Sequence, residues 1–418
     1  MPGTTRPAPL ALDPSFFTDP YAVYAALRHE GPVRRVMLPN GWDVWVVTRY
    51  AEARAALADP RLRKDPRVLT EQFDDDAMRD DEIVAASLRA HMLNADPPDH
   101  TRLRKLVTKA FTARRIDGLR PRIEAITDQL LDDLAARVGD GPVDLLDTFA
   151  FPLPITVICD LLGVPPADRD DFRAWSTTIV SDGTDEEVQV ASYAMASYLD
   201  RLLADKRADP GDDLLTALIH ARDDEDRLDE HELVSMAFLL LVAGHETTVN
   251  LIGNGTLALL RHPDQLAHLQ RDPSLLPGAV EELLRYDGPV NLATMRFTAE
   301  PVVLGTDSGT RDGDGATGVE IPAGEFVLVS LASADHDGSR FADPDRLDVT
   351  RPAGGHLAFG HGIHYCLGAP LARLEGEIAF TRLLGRFPGL RLAGAPAELR
   401  WRNSSLIRGL ERLPVHLA

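Results

Sequence analysis

The chain has almost no cysteine: two in 418 residues, Cys159 and Cys366. That scarcity rules out a disulfide framework and points to a reducing compartment, so a cytoplasmic location is expected. Nowhere do about 18 apolar residues follow one another without a break, as a membrane span needs. The closest run, residues 236–244, ends at His245 and Glu246, which favours a buried core helix. Residues 1–13 are proline-rich and lack the basic-then-apolar order of a signal peptide. Positive charge is also short: 44 Lys and Arg face 65 Asp and Glu, a net charge of −21. This argues against general nucleic-acid binding and gives no pull toward anionic membranes. No internal repeat or long linker is visible. The expectation is a soluble chain whose 44% hydrophobic residues can bury a large core.

Helical periodicity runs through residues 21–29, 50–57, 101–110, 116–137, 155–162, 214–221, 230–260, 265–272, 275–286 and 369–387. Short β-like segments lie at 42–48, 302–304 and 326–330 and within 401–415. One mainly α domain spanning 1–418 fits this pattern, large and helical with a small β-rich lobe drawn from about 30–50, 290–350 and 398–418. The Gly- and Asp-rich stretch 305–318 reads as an expanded hairpin turn and a mobile loop. Its aspartates fail the ligand order of an EF-hand.

Cys366 lies in F-G-H-G-I-H-Y-C-L-G, residues 359–368, just ahead of an apolar helix expected near Ala369. Glycines at 360, 362 and 368 permit conformations and close approaches that side chains would block. Such a loop can aim backbone N–H groups at the sulfur, and a helix N-terminus adds the same field, so a thiolate is stabilised. That chemistry suits single-thiolate ligation of a soft metal centre. Two plainer alternatives stand beside it: a small buried apolar residue, or a zinc site with His361 and His364, although structural zinc usually takes four protein ligands.

The helix expected over 230–260 is apolar on most faces yet carries A-G-H-E-T-T at 243–248. The Thr247 hydroxyl can bond the Ala243 carbonyl four residues back, and Gly244 removes a side chain at the same turn. A bend with a groove is expected, able to hold a small ligand and water. Glu246 inside it is costly unless paired, and burial should raise its pKa toward neutrality, which suits proton delivery. The plain alternative is a helix flaw tolerated by packing. In E-E-L-L-R-Y, residues 281–286, Glu282 and Arg285 share a helix face and can pair.

Segment 359–368 resembles the haem-binding loop of the cytochromes P450, F-x-x-G-x-[HR]-x-C-x-G; Phe359, Gly362, His364, Cys366 and Gly368 fill every fixed position. The resemblance implies the P450 fold and haem b, with Cys366 as the iron ligand and Phe359, Gly360, Ala243 and Gly244 against the cofactor. Residues 243–248 are similar to the family's oxygen-activating motif, so Thr247 would hydrogen-bond the bound dioxygen and Glu246 feed protons to it. Glu282 and Arg285 match the family's E-x-x-R, with Arg346 in F-A-D-P-D-R-L as the implied third member; Leu347 stands where the family often has an aromatic. The haem carboxylates need donors, and the resemblance assigns His100 and Arg104 in D-P-P-D-H-T-R-L-R, Arg296 in T-M-R-F, and His364.

The implied activity is insertion of one oxygen atom of O2 into a C–H bond of a mid-sized, mostly apolar natural product. The implied pocket draws on Ile83 and the segment 83–92, on Leu239, Leu240, Ala243 and Val290, on Asn291 and Thr294 as polar anchors, and on the turn at 406–407 with Ile407. The acidic run 74–81 falls in the lid region; it reads as a solvated loop or a trap for a cationic group. Electrons would come from a ferredoxin and its reductase, docking at Arg102, Lys105, Lys109, Arg114 and Arg115, unless that cluster is only a solvated helix face. The protein is expected to be a monomer. A peroxide-driven peroxygenase is a rival, which the intact Glu246–Thr247 pair argues against. A non-catalytic haem or small-ligand binding module and a haem-thiolate isomerase also stay open.

Overall fold

The computed structural model describes residues 8–68, 88, 90–180, 184–221, 226–305 and 318–418. Ile83, the acidic run 74–81 and most of the 305–318 loop lie outside the described residues.

The main helices are α1 (Asp99–Ala110), α2 (Arg120–Ala135), α3 (Pro152–Leu162), α4 (Arg169–Val180), α5 (Asp185–Ala208), α6 (Glu230–Arg261), α7 (Leu276–Asp287) and α8 (Ala369–Arg386). Helix α6 starts from a reciprocal cap: the Glu232 N–H donates to the Asp229 side chain at 2.8 Å, and the Asp229 N–H donates to Glu232 Oε2 at 2.9 Å. Nearly every residue from Leu233 to Leu259 is buried, as an all-apolar helix requires, and α3, α5, α7 and α8 pack around it. Among the described residues it is the one helix long and apolar enough to cross a bilayer, but 72% of that stretch is buried within the fold.

The β structure gathers on one side. Six strands run in the order β1 (Leu10–Ala11), β2 (Val33–Met37), β3 (Asp43–Val47), β9 (Phe326–Val329), β6 (Arg296–Thr298), β4 (Leu62–Arg63). Strand β9 pairs parallel to β3 and antiparallel to β6. Val33, Trp45 and Val47 pack on one face of β2 and β3 and Val36, Val44 and Val46 on the other, so this pair is buried on both sides. A smaller sheet joins β10 (Arg391–Leu392), β11 (Pro414–His416) and β5 (Val143–Asp144), and β7 (Val302–Leu304) pairs with β8 (Val319–Ile321).

Helix α5 and its neighbour α4 were not expected from periodicity, because alanine, serine and tyrosine dilute the apolar stripe of α5. A local signal does mark its start: Thr184 and Glu187 form a capping box. The single helix expected over 116–137 is divided into Ala113–Gly118 and α2, with Pro121 in the first turn of the second.

Helix α8 carries a costly group. Glu375 is 1% exposed, neither carboxylate oxygen has a hydrogen-bond partner, and burial pushes its pKa up to about 8 from 4.5. The folded protein therefore keeps a proton that the unfolded chain releases, so stability falls as pH rises from about 4.5 to about 8 and is flat above. At pH 7 the cost approaches roughly 3 kcal/mol. Thermal melts of Glu375→Met should show a larger gain in Tm at pH 8 than at pH 5; an equal gain at both would mean that shape, not ionisation, is the cost.

Candidate active site

A cavity of about 640 Å³ lies between α6 and the Cys366 loop. The loop is shaped by its own backbone. The Cys366 N–H donates to the Phe359 carbonyl at 2.9 Å. Gly362 sits at φ +75°, and a Cβ there would lie 2.9 Å from the Leu57 carbonyl, so this glycine is required twice over. Gly368 differs from the expectation: its φ is −80° and a Cβ would meet the sulfur at an ordinary 3.9 Å. The Phe359 ring is covered by the Arg373 guanidinium, 4.5 Å from its centroid, and Glu281 holds Arg373 at 2.7 and 2.9 Å.

Cys366 opens onto the cavity. Burial in apolar protein pushes its thiol up, and the N–H groups of Gly368 and Ala369 with Arg104 and Arg373 oppose this without reversing it. The expected nest is there: N–H groups and two guanidiniums favour the thiolate against the burial that disfavours it. Among the described residues no three His, Cys, Asp or Glu side chains converge to hold a metal ion, which removes the geometric basis for zinc.

The opposite wall is α6, with Ala243, Gly244, Glu246 and Thr247 lining the cavity. The Thr247 hydroxyl donates to the Ala243 carbonyl at 3.0 Å, as the spacing predicts. The helix runs without a break from Glu230 to Arg261. Glycine at 244 serves packing as well as the cavity: a Cβ would lie 2.7 Å from Ile158 Cδ1 on α3.

Glu246 requires a correction. Burial, its largest influence, raises the carboxyl, but His245 and Arg402 together outweigh it and hold it below its usual value. Arg402 Nη1 donates to Glu246 Oε2 at 3.0 Å. His245 Nε2 lies 3.5 Å from Oε1, but Nδ1 faces the Leu241 carbonyl at 2.8 Å and Nε2 faces the Ser176 hydroxyl at 3.0 Å. His245 and Arg402 thus both face the carboxylate, and Arg402 is the one that hydrogen-bonds it. Arg402 stands 156 residues from Glu246, and nothing local in the sequence marks the pair.

The cavity's polar edge collects the expected donors. His100 is buried with both ring nitrogens unpartnered, and its ring meets that of His364 at 4.5 Å. Arg104 Nη2 donates to the Tyr365 carbonyl at 2.8 Å, and Arg296 Nη1 to the Thr294 carbonyl at 3.0 Å. Burial depresses all four groups, His364 to about 2 and Arg296 to about 10. Orphaned imidazole nitrogens beside one buried and one half-buried guanidinium, across from an open thiol, fit a flat metal cofactor bearing carboxylates.

Glu282 and Arg285 are fully buried and paired through two bonds of 2.7 and 2.9 Å. The expected third member is wrong. Arg346 points outward to Asp348 and contributes only its carbonyl, whereas Arg351 Nε reaches Glu282 Oε1 at 3.1 Å. The backbone turns Arg346 away and brings Arg351, five residues on, against the carboxylate.

Of the expected pocket residues, Leu239, Leu240, Ala243, Val290, Thr294 and Ile407 line the cavity. Asn291 does not: its Oδ1 accepts from the Tyr24 hydroxyl at 2.8 Å behind the wall. Lining residues the sequence did not mark include Phe238, on which the His91 ring stacks, Val188 and Ser192 from α5, and Lys64. In the basic cluster, Arg102 turns back to Glu232 and Asp226 and Arg115 to Asp212, while Lys105, Lys109 and Arg114 are exposed.

Residues 170–391 match the sequence pattern of the family Cytochrome P450. The chain is 58% identical over 410 residues to cytochrome P450 107B1 of Saccharopolyspora erythraea, covering 97% of each. It is 51% identical over 418 residues to the cytochrome P450 monooxygenase PikC of Streptomyces venezuelae, covering 99% of this chain and 95% of the relative. The tirandamycin C-bound structure of the P450 monooxygenase TamI superposes with a TM-score of 0.88 at 53% identity, covering 98% of this chain and 100% of that one. The family works with haem held by a cysteine thiolate, O2, a substrate and redox partners. With a thiol, an acid–alcohol pair and a cationic edge around one cavity, the chain belongs to the cytochromes P450 and is a haem-thiolate monooxygenase.

Proposed function

We propose that the chain, as one cytoplasmic domain over 1–418 and a monomer, hydroxylates or epoxidises a mid-sized, mostly apolar natural product with electrons from a ferredoxin and its reductase. The observation that carries this reading is the cavity itself: Cys366 on one wall, Glu246 and Thr247 on the other, and an apolar roof of Leu239, Leu240, Phe238, Val290 and Ile407. Names of relatives support the substrate class, among them a 6-deoxyerythronolide B hydroxylase of Saccharopolyspora erythraea and a mycinamicin IV hydroxylase/epoxidase of Micromonospora griseorubida.

Cys366 would hold the haem iron, and His100, Arg104, Arg296 and His364 its carboxylates. When bound, haem supplies oxygen activation, and thiolate ligation favours O–O cleavage. The chain's own groups do the rest. The apolar roof excludes water and sets which C–H bond faces the wall at Thr247. The Thr247 hydroxyl, anchored on the Ala243 carbonyl, keeps oxygen lone pairs for a hydrogen bond in the cavity. Glu246 passes protons inward, its charge held between turnovers by Arg402. Lys105, Lys109 and Arg114 form the exposed core of the docking patch for an acidic donor; Arg102 is withdrawn from it.

The test is the absorption spectrum of reduced protein with carbon monoxide, for wild type and Cys366→His. A strongly red-shifted Soret band in wild type and its loss in the variant are expected. A wild type without a haem band after haem-supplemented expression would sink the reading and return Cys366 to an ordinary thiol.

A further inference from the structure

We infer that Lys64 is a carboxylate-binding residue of the cavity, engaging either a propionate of the cofactor or an acidic group of the substrate; the inference rests on the haem-cavity reading above. Strand β4 pairs with β6 in the register Leu62↔Thr298 and Arg63↔Phe297. One step further along this register sets Lys64 opposite Arg296. Both side chains converge on one residue: Lys64 Nζ donates to Thr294 Oγ1 at 2.7 Å and Arg296 Nη1 to the Thr294 carbonyl at 3.0 Å. Both are nearly out of water, 8% and 4% exposed, and both line the cavity.

An ammonium has three N–H donors, and Thr294 takes one. Among the described residues no carboxylate lies within ion-pair distance of Nζ. The nearest candidate, Asp96, uses its oxygens on the backbone N–H groups of Lys64 at 3.1 and 3.2 Å and Asp65 at 3.0 Å. The site thus holds two buried cations side by side, neither in direct contact with a carboxylate among the described residues, and Asp96 offsets their charge only at a distance. Burial first, then the charge of Arg296, pushes the Lys64 ammonium well down. A buried cation without a direct counter-ion is among the costliest features a fold can keep, and this one lines the cavity at its cationic edge. A planar two-oxygen anion suits an ammonium and a guanidinium set next to each other, one oxygen for each.

Holoprotein of wild type, Lys64→Met and Lys64→Arg decides the matter, with Lys64→Gln covering the case in which the Met variant does not accumulate. Three quantities are read: haem transfer to excess apomyoglobin, the iron midpoint potential, and spin-shift titration with myristic acid against its methyl ester. If the carboxylate is the cofactor's, haem leaves Lys64→Met about tenfold faster than wild type, the potential moves, and Lys64→Arg restores both. If it is the substrate's, haem release is unchanged, the acid loses about tenfold in affinity, and the ester binds both proteins alike. Haem release, potential and both affinities within about twofold of wild type would overturn the inference. A wild type that takes up no haem overturns it together with the function it rests on, and is told apart by its missing Soret band.

Discussion

Glu282→Ala is expected to yield no folded haem protein at 37 °C. The Glu282 carboxylate accepts from Arg285 Nε and Nη2, from Arg351 Nε and from the Asp348 N–H, at 2.7 to 3.1 Å. Arg285 in turn donates to the Asp335 and Pro344 carbonyls, each at 2.8 Å, so one carboxylate ties α7 to the chain that leads into the Cys366 loop. Removing it leaves a fully buried guanidinium and a nearly buried one without a counter-ion. Breaking a buried pair from one side costs about 3–5 kcal/mol, a large part of the roughly 5–15 kcal/mol that holds a domain together. Haem content and urea midpoint are the measurements. Arg346→Ala provides the control: its side chain lies outward against Asp348, and loss of a surface pair shifts stability by less than about 1 kcal/mol. Equal damage from both variants would mean that the 341–351 segment, rather than the ion cluster, is what matters.

Glu246→Gln should lower turnover about 10²-fold while electrons continue to be consumed. Glutamine keeps the size of the side chain but cannot pass a proton. Arg402→Met probes the same step from the other side. Burial is the largest influence on Glu246 and raises its carboxyl; with Arg402 gone, only His245 opposes it. The wild-type carboxylate persists as pH falls below the usual range, whereas in Arg402→Met protonation begins at higher pH. Product formed per electron pair, followed across pH with a surrogate ferredoxin and reductase, should therefore move to higher pH in Arg402→Met. Superimposable pH profiles would show that Arg402 only closes the wall behind the acid.

Much of the site could be read along the chain because its chemistry is local. The Cys366 loop, the Glu246–Thr247 turn and the Glu282–Arg285 pair each lie within ten consecutive residues, where one helix or loop sets the geometry. Cap signals were equally local; the Thr184–Glu187 box marks α5 even though its diluted apolar stripe does not. Leu233 to Leu259 marked itself as the core axis through apolar composition alone.

Composition, periodicity and short-range spacing, then, determined by themselves that this is a large helical protein built around one buried helix, with a cysteine loop and an acid–alcohol pair. Only tertiary structure decided which distant cations serve those groups. Arg402 comes to Glu246 from 156 residues away, Arg351 rather than Arg346 closes the buried cluster, and Lys64 meets Arg296 because β4 and β6 pair in one register. Asn291 turned out to brace Tyr24 instead of facing the cavity. The physical reason is common to all four. A polar side chain is placed by which donors, acceptors and charges it can reach, and these are set by chain segments far away in sequence.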